Sequence, residues 1–411
     1  MRFVLMSALV ALVGLHCGKP EQSQSDRIVI WHQMRPDERD ILHRQLQRYM
    51  SAHPGVEVVE LYKETEELRS GFVIASIAGQ GPDLVYGPSD PVGIYEATST
   101  IRALENLLPS AFLAGIDSSA LLFYNGHLYQ VADKVGNHLA LVYNRAYVNQ
   151  PPKTDRELIS LAHRIQAKYG STSGRPNVYG LTWNYTEPFF FIPFFTGFGG
   201  WVFGPDGVTP SLNTQAMVRA LEFVRSLRDV EHIIPNEADY EIADALFKDG
   251  KAAMIINGDW SWAGYRAKGL DIGVAPLPLI EATGHWCAPM TSPKGYSVNV
   301  NTADVKLPAV SALLQYLLSE ECQLETVQAL STAPTLRSLE HHEAIGSDDI
   351  LLNSLLQIKR GRTMPVVPEM RAIWDAMRPS YQAVMGGAKE AAPAAADMQR
   401  LAERKIRDMK E

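Results

Sequence analysis

The hydrophobic and polar positions of this chain change period repeatedly, and each change marks an element. Arg27 to Trp31, RIVIW, is a dense β-branched run of strand length. From Asp37 to Met50 the apolar residues Ile41, Leu42, Leu46 and Tyr49 form one helical stripe, which His53-Pro54-Gly55 stops. Val56 to Tyr62 predicts a second strand, and Glu66 to Ala78 a second helix closed by Gly79. Pro82 to Tyr86 predicts a third strand, before the loop Gly87 to Pro91. Strands and helices in this alternation imply a parallel α/β sheet.

A second set of elements begins with the strand Leu139 to Tyr143. Thr154 is the predicted cap of a helix from Asp155 to Lys168, and Leu181 to Trp183 reads as strand. The aromatic stretch Trp183 to Phe203 has no regular period. Asn213 to Asp229 is helical, with Met217, Leu221, Val224 and Leu227 on one face. Ile272 to Ala275 and Tyr296 to Val300 are further strands, and Pro308 to Leu318 and Glu321 to Leu330 are helices. Beyond Asp348 the pattern is mostly helical, broken by Pro365 and Pro368, and the alanine-rich run Ala391 to Ala396 fits either a helix junction or a loose turn.

The stretch around which the chain is organised is Phe247 to Arg266, FKDGKAAMIINGDWSWAGYR. Gly250 follows an amphipathic helix, where a positive φ costs little. Ala252 to Ile256 is a short apolar strand, Asn257-Gly258-Asp259 a turn, and Asp259 the expected N-cap of a helix opening at Trp260. Trp260 and Trp262 therefore stand where a strand ends and a helix begins, the place where α/β proteins bind ligands.

Composition narrows the reading. At 411 residues two domains are expected, and 46% hydrophobic with 20% charged residues describes a globular protein. A net charge of −8, with the charges interspersed, argues against a nucleic-acid partner. Arg2, the apolar run Phe3 to Leu15 and then Cys17 before a polar stretch resemble a bacterial lipoprotein signal, with Cys17 lipidated as the new N-terminus. His16 departs from the small residue usual before that cysteine, so an ordinary secretory signal that discards Cys17 is the alternative. Cys287 and Cys322 do not amount to a disulfide framework, and pairing or two buried thiols are both open.

Six patches in order carry a resemblance: RIVIWH, PDLVYG, LVYNR followed by PPKT, FKDGKAAMIINGDWSW, GYSVNVNT with LLSEECQ, and MPVVPEMRAIW. Together they resemble the family 1 extracellular solute-binding proteins of the maltose-binding type, the capture subunits of carbohydrate ABC importers. The resemblance runs over nearly all of the chain after the first 26 residues. It implies a two-lobed periplasmic-binding-protein fold of α/β class, each lobe a sheet flanked by helices and joined by hinge segments. Residues 1–26 would be signal and tether, 27–137 plus 296–345 one lobe, and 138–295 plus 346–411 the other. The implied partners are a small-molecule carbohydrate, importer permease subunits and the membrane through a lipid anchor, with a monomeric protein exported to the periplasm or outer surface. No cofactor and no metal are implied.

A sugar site needs aromatic platforms for C–H faces and planar polar groups for the hydroxyl rim. Trp260 and Trp374 match the family's stacking positions, and Glu187 with Phe189 its Glu-Pro-aromatic patch. Trp31, His32 and Gln33 follow the first strand, and Ser89 and Asp90 the third, where relatives place polar ligands. Asp90 serves equally well as a helix cap. Asn137 stands where the maltose binder has an acidic residue, which leaves the sugar open. Trp201 and Trp183 are further platforms, unless they only pack.

An enzyme is the first rival reading, yet G-x-S-x-G, H-E-x-x-H, P-loop and C-x-x-C motifs are missing from the sequence. His341-His342-Glu343 is the nearest approach to a metal cluster, and those histidines are expected to face solvent. The second rival is a binder of a polyamine, metal or peptide on the same scaffold, which fold alone does not separate.

Overall fold

The structure, a computed structural model, describes residues 27–409 and Glu411. Cys17 and the rest of the expected signal lie outside the described residues. The first half of the chain gives β1 (Arg27–His32), α1 (Pro36–Ala52), β2 (Glu57–Tyr62), α2 (Thr65–Ile77), β3 (Leu84–Pro88) and β4 (His127–Gly136). Next come β5 (Leu139–Asn144), α3 (Asp155–Tyr169), β6 (Tyr179–Trp183), α4 (Pro188–Gly197), α5 (Gln215–Asp229) and α6 (Tyr240–Lys248). Then follow β7 (Ala252–Gly258), α7 (Trp262–Ala267), β8 (Ile272–Ala275) and β9 (Met290–Asn299). Helices α8 (Leu307–Leu317), α9 (Glu320–Leu330), α10 (Asp349–Arg360), α11 (Glu369–Met385) and α12 (Ala391–Asp408) close the chain.

Two sheets organise these elements. In the larger, β2, β1 and β3 pair in parallel, as the alternation predicts. β9 then joins β3 antiparallel and β4 joins β9 antiparallel, so the sheet is mixed rather than parallel throughout. The smaller sheet has the order β6-β7-β5-β8, with β6 and β7 parallel and the other pairs antiparallel. Separate cores sit on the two sheets. Ile28, Ile30, Leu42 and Leu46 pack with Tyr296, Val298 and Leu314 on the large sheet. Leu141, Trp183, Phe191, Met254 and Trp262 pack with Ile373, Tyr381 and Met398 on the small one.

The chain crosses between these bodies where β4 leads into β5, and again inside β9. Met290 belongs to the small sheet's core, whereas Lys294 to Val298 pair with β3 of the large sheet. At the first crossing Gly136 has φ +132°, and a Cβ there would stand 2.9 Å from Asp259 Oδ2. Only glycine fits both demands.

Several expected elements take a different form. Asp259 does not cap a helix. Ser261 holds the N-cap of α7, which opens at Trp262, while the buried Asp259 carboxylate accepts from the Asn137 backbone N–H at 3.2 Å. Pairing of Asn257 and Gly258 with Ala140 and Leu139 extends β7 beyond Ile256. The aperiodic aromatic stretch contains α4, nine of whose ten residues are buried, so it has no polar face to reveal a helical period. Ala391 to Ala396 is the first turn and a half of α12. Thr154 does cap α3, accepting from Glu157 N at 3.2 Å, and Gly250 has φ +69°. Cys287 and Cys322 are free and buried. His341 is exposed, and His342 caps a short helix through Ala344 N.

Candidate binding site

A cavity of about 620 Å³ opens between the two bodies. One wall is polar and comes from the large-sheet side: Gln33 and Arg35 after β1, Tyr62 at the end of β2, and Glu66 and Arg69 from α2. The facing wall is aromatic: Phe189 and Phe190 at the start of α4, Tyr240 at the start of α6, Trp260 after β7, and Trp374 on α11. Asn137 and Lys294, at the two crossings, and Glu38, in the first turn of α1, lie beneath.

The aromatic wall is held by its own contacts. Phe189 lies 6.3 Å from the Trp260 ring centroid and 6.4 Å from that of Trp374. The Trp260 indole N–H donates to Tyr240 Oη at 3.1 Å, and the indole lies over Gly258, where a Cβ would come within 2.1 Å of the ring. Burial pushes the Tyr240 phenol up to about 12, against the nearby Arg35 cation, so it stays protonated at neutral pH. The Arg35 guanidinium stands 4.7 Å over the same ring, from the opposite wall. Trp374 is only 6% exposed although its indole lines the cavity.

Charged groups are paired rather than free. Arg378 grips Glu187 with two nitrogens, at 3.1 and 2.9 Å. In the floor, Glu38 Oε1 takes Lys134 at 2.5 Å and Lys294 at 3.0 Å, and its Oε2 takes the Arg35 backbone N–H at 2.9 Å. Burial raises the Glu38 carboxyl, but the two ammonium groups outweigh it and hold the group well below the usual range. Asp259 is moved the other way. Burial lifts it to about 6, and Lys294 and Lys134 offset this only in part.

Of the residues singled out from sequence, Gln33, Asn137, Glu187, Phe189, Trp260 and Trp374 come together in this cavity. The others are not in its wall. His32 is 1% exposed, with Nε2 on Glu60 at 3.0 Å and Nδ1 accepting from Met34 N. Trp31 packs beside Phe72 and Val85 with Lys63 over its ring. Ser89 is buried, and Asp90 takes Arg69 at 2.7 Å. Trp201 stacks with Arg362 at 3.9 Å, and Trp183 and Trp262 are fully buried core indoles. Sequence reasoning missed Arg35, Tyr62, Arg69, Tyr240, Met364 and Arg378. Arg378 had a usable signal, because it stands four residues after Trp374 and so shares its helix face. Tyr240 had none, since its approach to Trp260 depends on tertiary packing.

The arrangement suits a ligand with flat apolar faces and a rim of hydroxyls. Rings cover the faces from one side, while amide, carboxylate and guanidinium groups reach the rim from the other. Two α/β bodies, crossed by hinge segments and enclosing such a cavity, define a two-lobed solute-binding protein. The chain belongs to the bacterial extracellular solute-binding protein family, whose model matches residues 45–352. It is similar to the maltotriose-binding protein of Pyrococcus abyssi, 25% identical over 371 residues, covering 89% of this chain and 79% of that protein. Among solved structures, it is similar to the maltose/maltodextrin-binding domain of Bdellovibrio bacteriovorus bound to maltotriose. The TM-score there is 0.89 at 42% identity, covering 93% of this chain and 100% of that one. The Thermus thermophilus maltotriose-binding protein bound with maltotriose gives 0.84 at 25% identity, covering 92% and 100%.

Proposed function

We propose that the protein captures a malto-oligosaccharide of maltotriose size in the interlobe cavity and delivers it to a membrane ABC permease. The observation that carries this reading is the wall of Phe189, Trp260 and Trp374 facing polar groups across about 620 Å³. The relatives support the sugar class, since the Pyrococcus, Bdellovibrio and Thermus proteins are all named for maltodextrins or maltotriose. In this reading Gln33, Asn137 and Glu187 meet hydroxyls, and no catalytic step takes place. The polyamine, metal and peptide alternatives receive no comparable support: of the cavity's carboxylates, Glu38, Glu66 and Glu187 are hydrogen-bonded to cations of the chain, Glu241 stands 3.7 Å from Arg35, and Glu64 caps α2.

The lobes are assigned as 27–137 plus 296–345 and 138–295 plus 346–411. The division of the two cores near Leu139 and within β9 supports this, while α10 lies at the third boundary, with Ile350 in the small-sheet core and Leu351 packed with Val327 and Ala333. Closure over a ligand follows from differential contact: a sugar touching both walls binds the closed form better. The export signal and a lipid anchor at Cys17 complete the proposal. Related maltooligosaccharide-binding proteins of Streptococcus pneumoniae are named as lipoproteins. Among the described residues no helix is long and apolar enough to cross a membrane. Cys17→Ala is expected to release the protein from the membrane fraction, and identical fractionation of both forms would remove the anchor from the account.

The function is tested by a thermal-shift panel of mono-, di- and oligosaccharides. A ligand held at about 1,000 times its Kd adds ~4 kcal/mol of stability by mass action. A selective rise with glucose oligomers is the expected result. A rise only with amines, peptides or metals would discard the sugar while keeping the scaffold.

A further inference from the structure

Glu66 sits in the first turn of α2, and its carboxylate meets guanidinium groups from both sides of the cavity mouth. Arg69, one turn along α2, donates to Oε1 at 3.1 Å. Arg371 of α11 donates to Oε2 at 2.6 Å, and Arg378 of the same helix lies 3.6 Å from Oε1. Helix α2 is fixed by Leu68 and Phe72 beside Val85 of the large sheet, whereas α11 is fixed by Met370, Ile373 and Trp374 in the small sheet's core. The carboxylate therefore bridges the two bodies. Burial acts to raise its pKa, but Arg69, Arg371 and Arg378 together hold it below the ordinary value, so it is charged at neutral pH.

Each member of this cluster keeps a partner on its own side if the bodies separate. Glu66 retains Arg69, Arg371 retains Asp375 at 3.2 Å, and Arg378 retains Glu187. Opening leaves no buried charge unpaired, so the contact can be made and broken at low cost. The Arg371 and Glu66 side chains are 41% and 37% exposed, which leaves the pair open to counterions. Arg371 is not in the wall of the main cavity; it lines a smaller recess behind Trp374. Of the groups that line the main cavity, the one Arg371 grips directly is Glu66.

We propose that Glu66 and Arg371 form an ionic clasp between the lobes that favours the closed form and slows release of the bound solute. This rests on the capture of a malto-oligosaccharide argued above. Arg371 is a positioning residue here, acting through closure rather than contact, because apparent affinity scales with the population of the competent state.

The test compares wild type, Arg371→Gln and Arg371→Lys by stopped-flow release of maltotriose, followed by tryptophan fluorescence, at low and high salt. At low salt Arg371→Gln is expected to release the sugar about two- to five-fold faster, the range of a partly exposed ion pair. That difference shrinks at high salt, and Arg371→Lys restores the slow rate. Equal rates for wild type and Arg371→Gln at low salt would overturn the clasp, as would an effect indifferent to salt. Solution scattering of the sugar-free proteins reads the same contact without a ligand. Arg371→Gln should be more expanded than wild type at low salt, and identical profiles would count against the proposal. Absence of any maltotriose signal in wild type would instead strike the sugar reading, and scattering alone would then decide the clasp.

Discussion

Replacing Glu38 with glutamine removes one charge from the floor of the cavity while nearly preserving shape. The Glu38 side chain is 3% exposed, and the ammonium groups of Lys134 and Lys294, whose side chains are each 4% exposed, converge on its Oε1. An amide oxygen in the Oε1 position can still accept from both lysines, but the NH₂ then meets the Arg35 N–H with a donor, and with the amide turned the other way it meets both ammonium groups instead. Two buried cations then lose their hydrogen-bonded counter-charge, with the more distant Asp133 and Asp259 left nearby, a change that costs about 3–5 kcal/mol in buried ion pairs. The helix N-terminus of α1 also loses an anion, worth about 0.3–1 kcal/mol more. Lys134→Met is expected to cost less, because Glu38 keeps Lys294. Replacing all three by methionine should recover most of the stability, since a packed apolar trio escapes the desolvation penalty. Equilibrium urea denaturation of the four proteins measures these differences. The pH dependence has a definite sign. A carboxyl held below its ordinary value stabilises above the unfolded pKa, and that stability is lost as pH falls through the folded one. Wild type should therefore lose more stability on acidification than Glu38→Gln. A loss below about 1 kcal/mol for Glu38→Gln at neutral pH would show instead that the lysines shed their protons or find water.

Asp259 has the opposite sign. Its carboxyl is raised to about 6, so its contribution is fully present below the unfolded value and is lost as pH rises through 6. Asp259→Asn should thus gain on wild type by about 1–3 kcal/mol between pH 4 and 7, measured by denaturation at each pH; a constant difference would show that Asp259 does not titrate there. Gly258→Ala should leave β7 paired but displace the Trp260 ring, since the added Cβ would stand 2.1 Å from it. Weakened sugar binding with a nearly unchanged far-UV spectrum is expected, and unaltered affinity would show that the indole seat is not used.

The legible parts of the sequence were those with a period or a punctuating residue. RIVIW, the α1 stripe, the Thr154 cap and the Gly250 stop were read correctly because each is local. Asp259 misled because its nearest sequence neighbours suggest a cap, while its partners come from residue 137 and from Lys134 and Lys294. The mixed character of the large sheet was hidden for the same reason: β9 returns from residue 290 to lie beside β3. Helix α4 was hidden by being apolar on every side. In the cavity, the aromatic positions could be found by resemblance, but Arg35, Tyr240 and Arg378 are placed by contacts across the fold. His32 shows the converse. It looked available after β1, yet Glu60 and the Met34 backbone occupy both ring nitrogens.

Equilibrium titration of wild type and Trp260→Ala with maltotriose, with the melting transition of each, decides whether the aromatic wall holds the sugar. One saturable site is expected in wild type, and binding weaker by ~1–3 kcal/mol in the variant, with little change in melting. Failure of wild type to bind maltotriose, or equal affinities with a large drop in stability for the variant, would contradict this role for the wall.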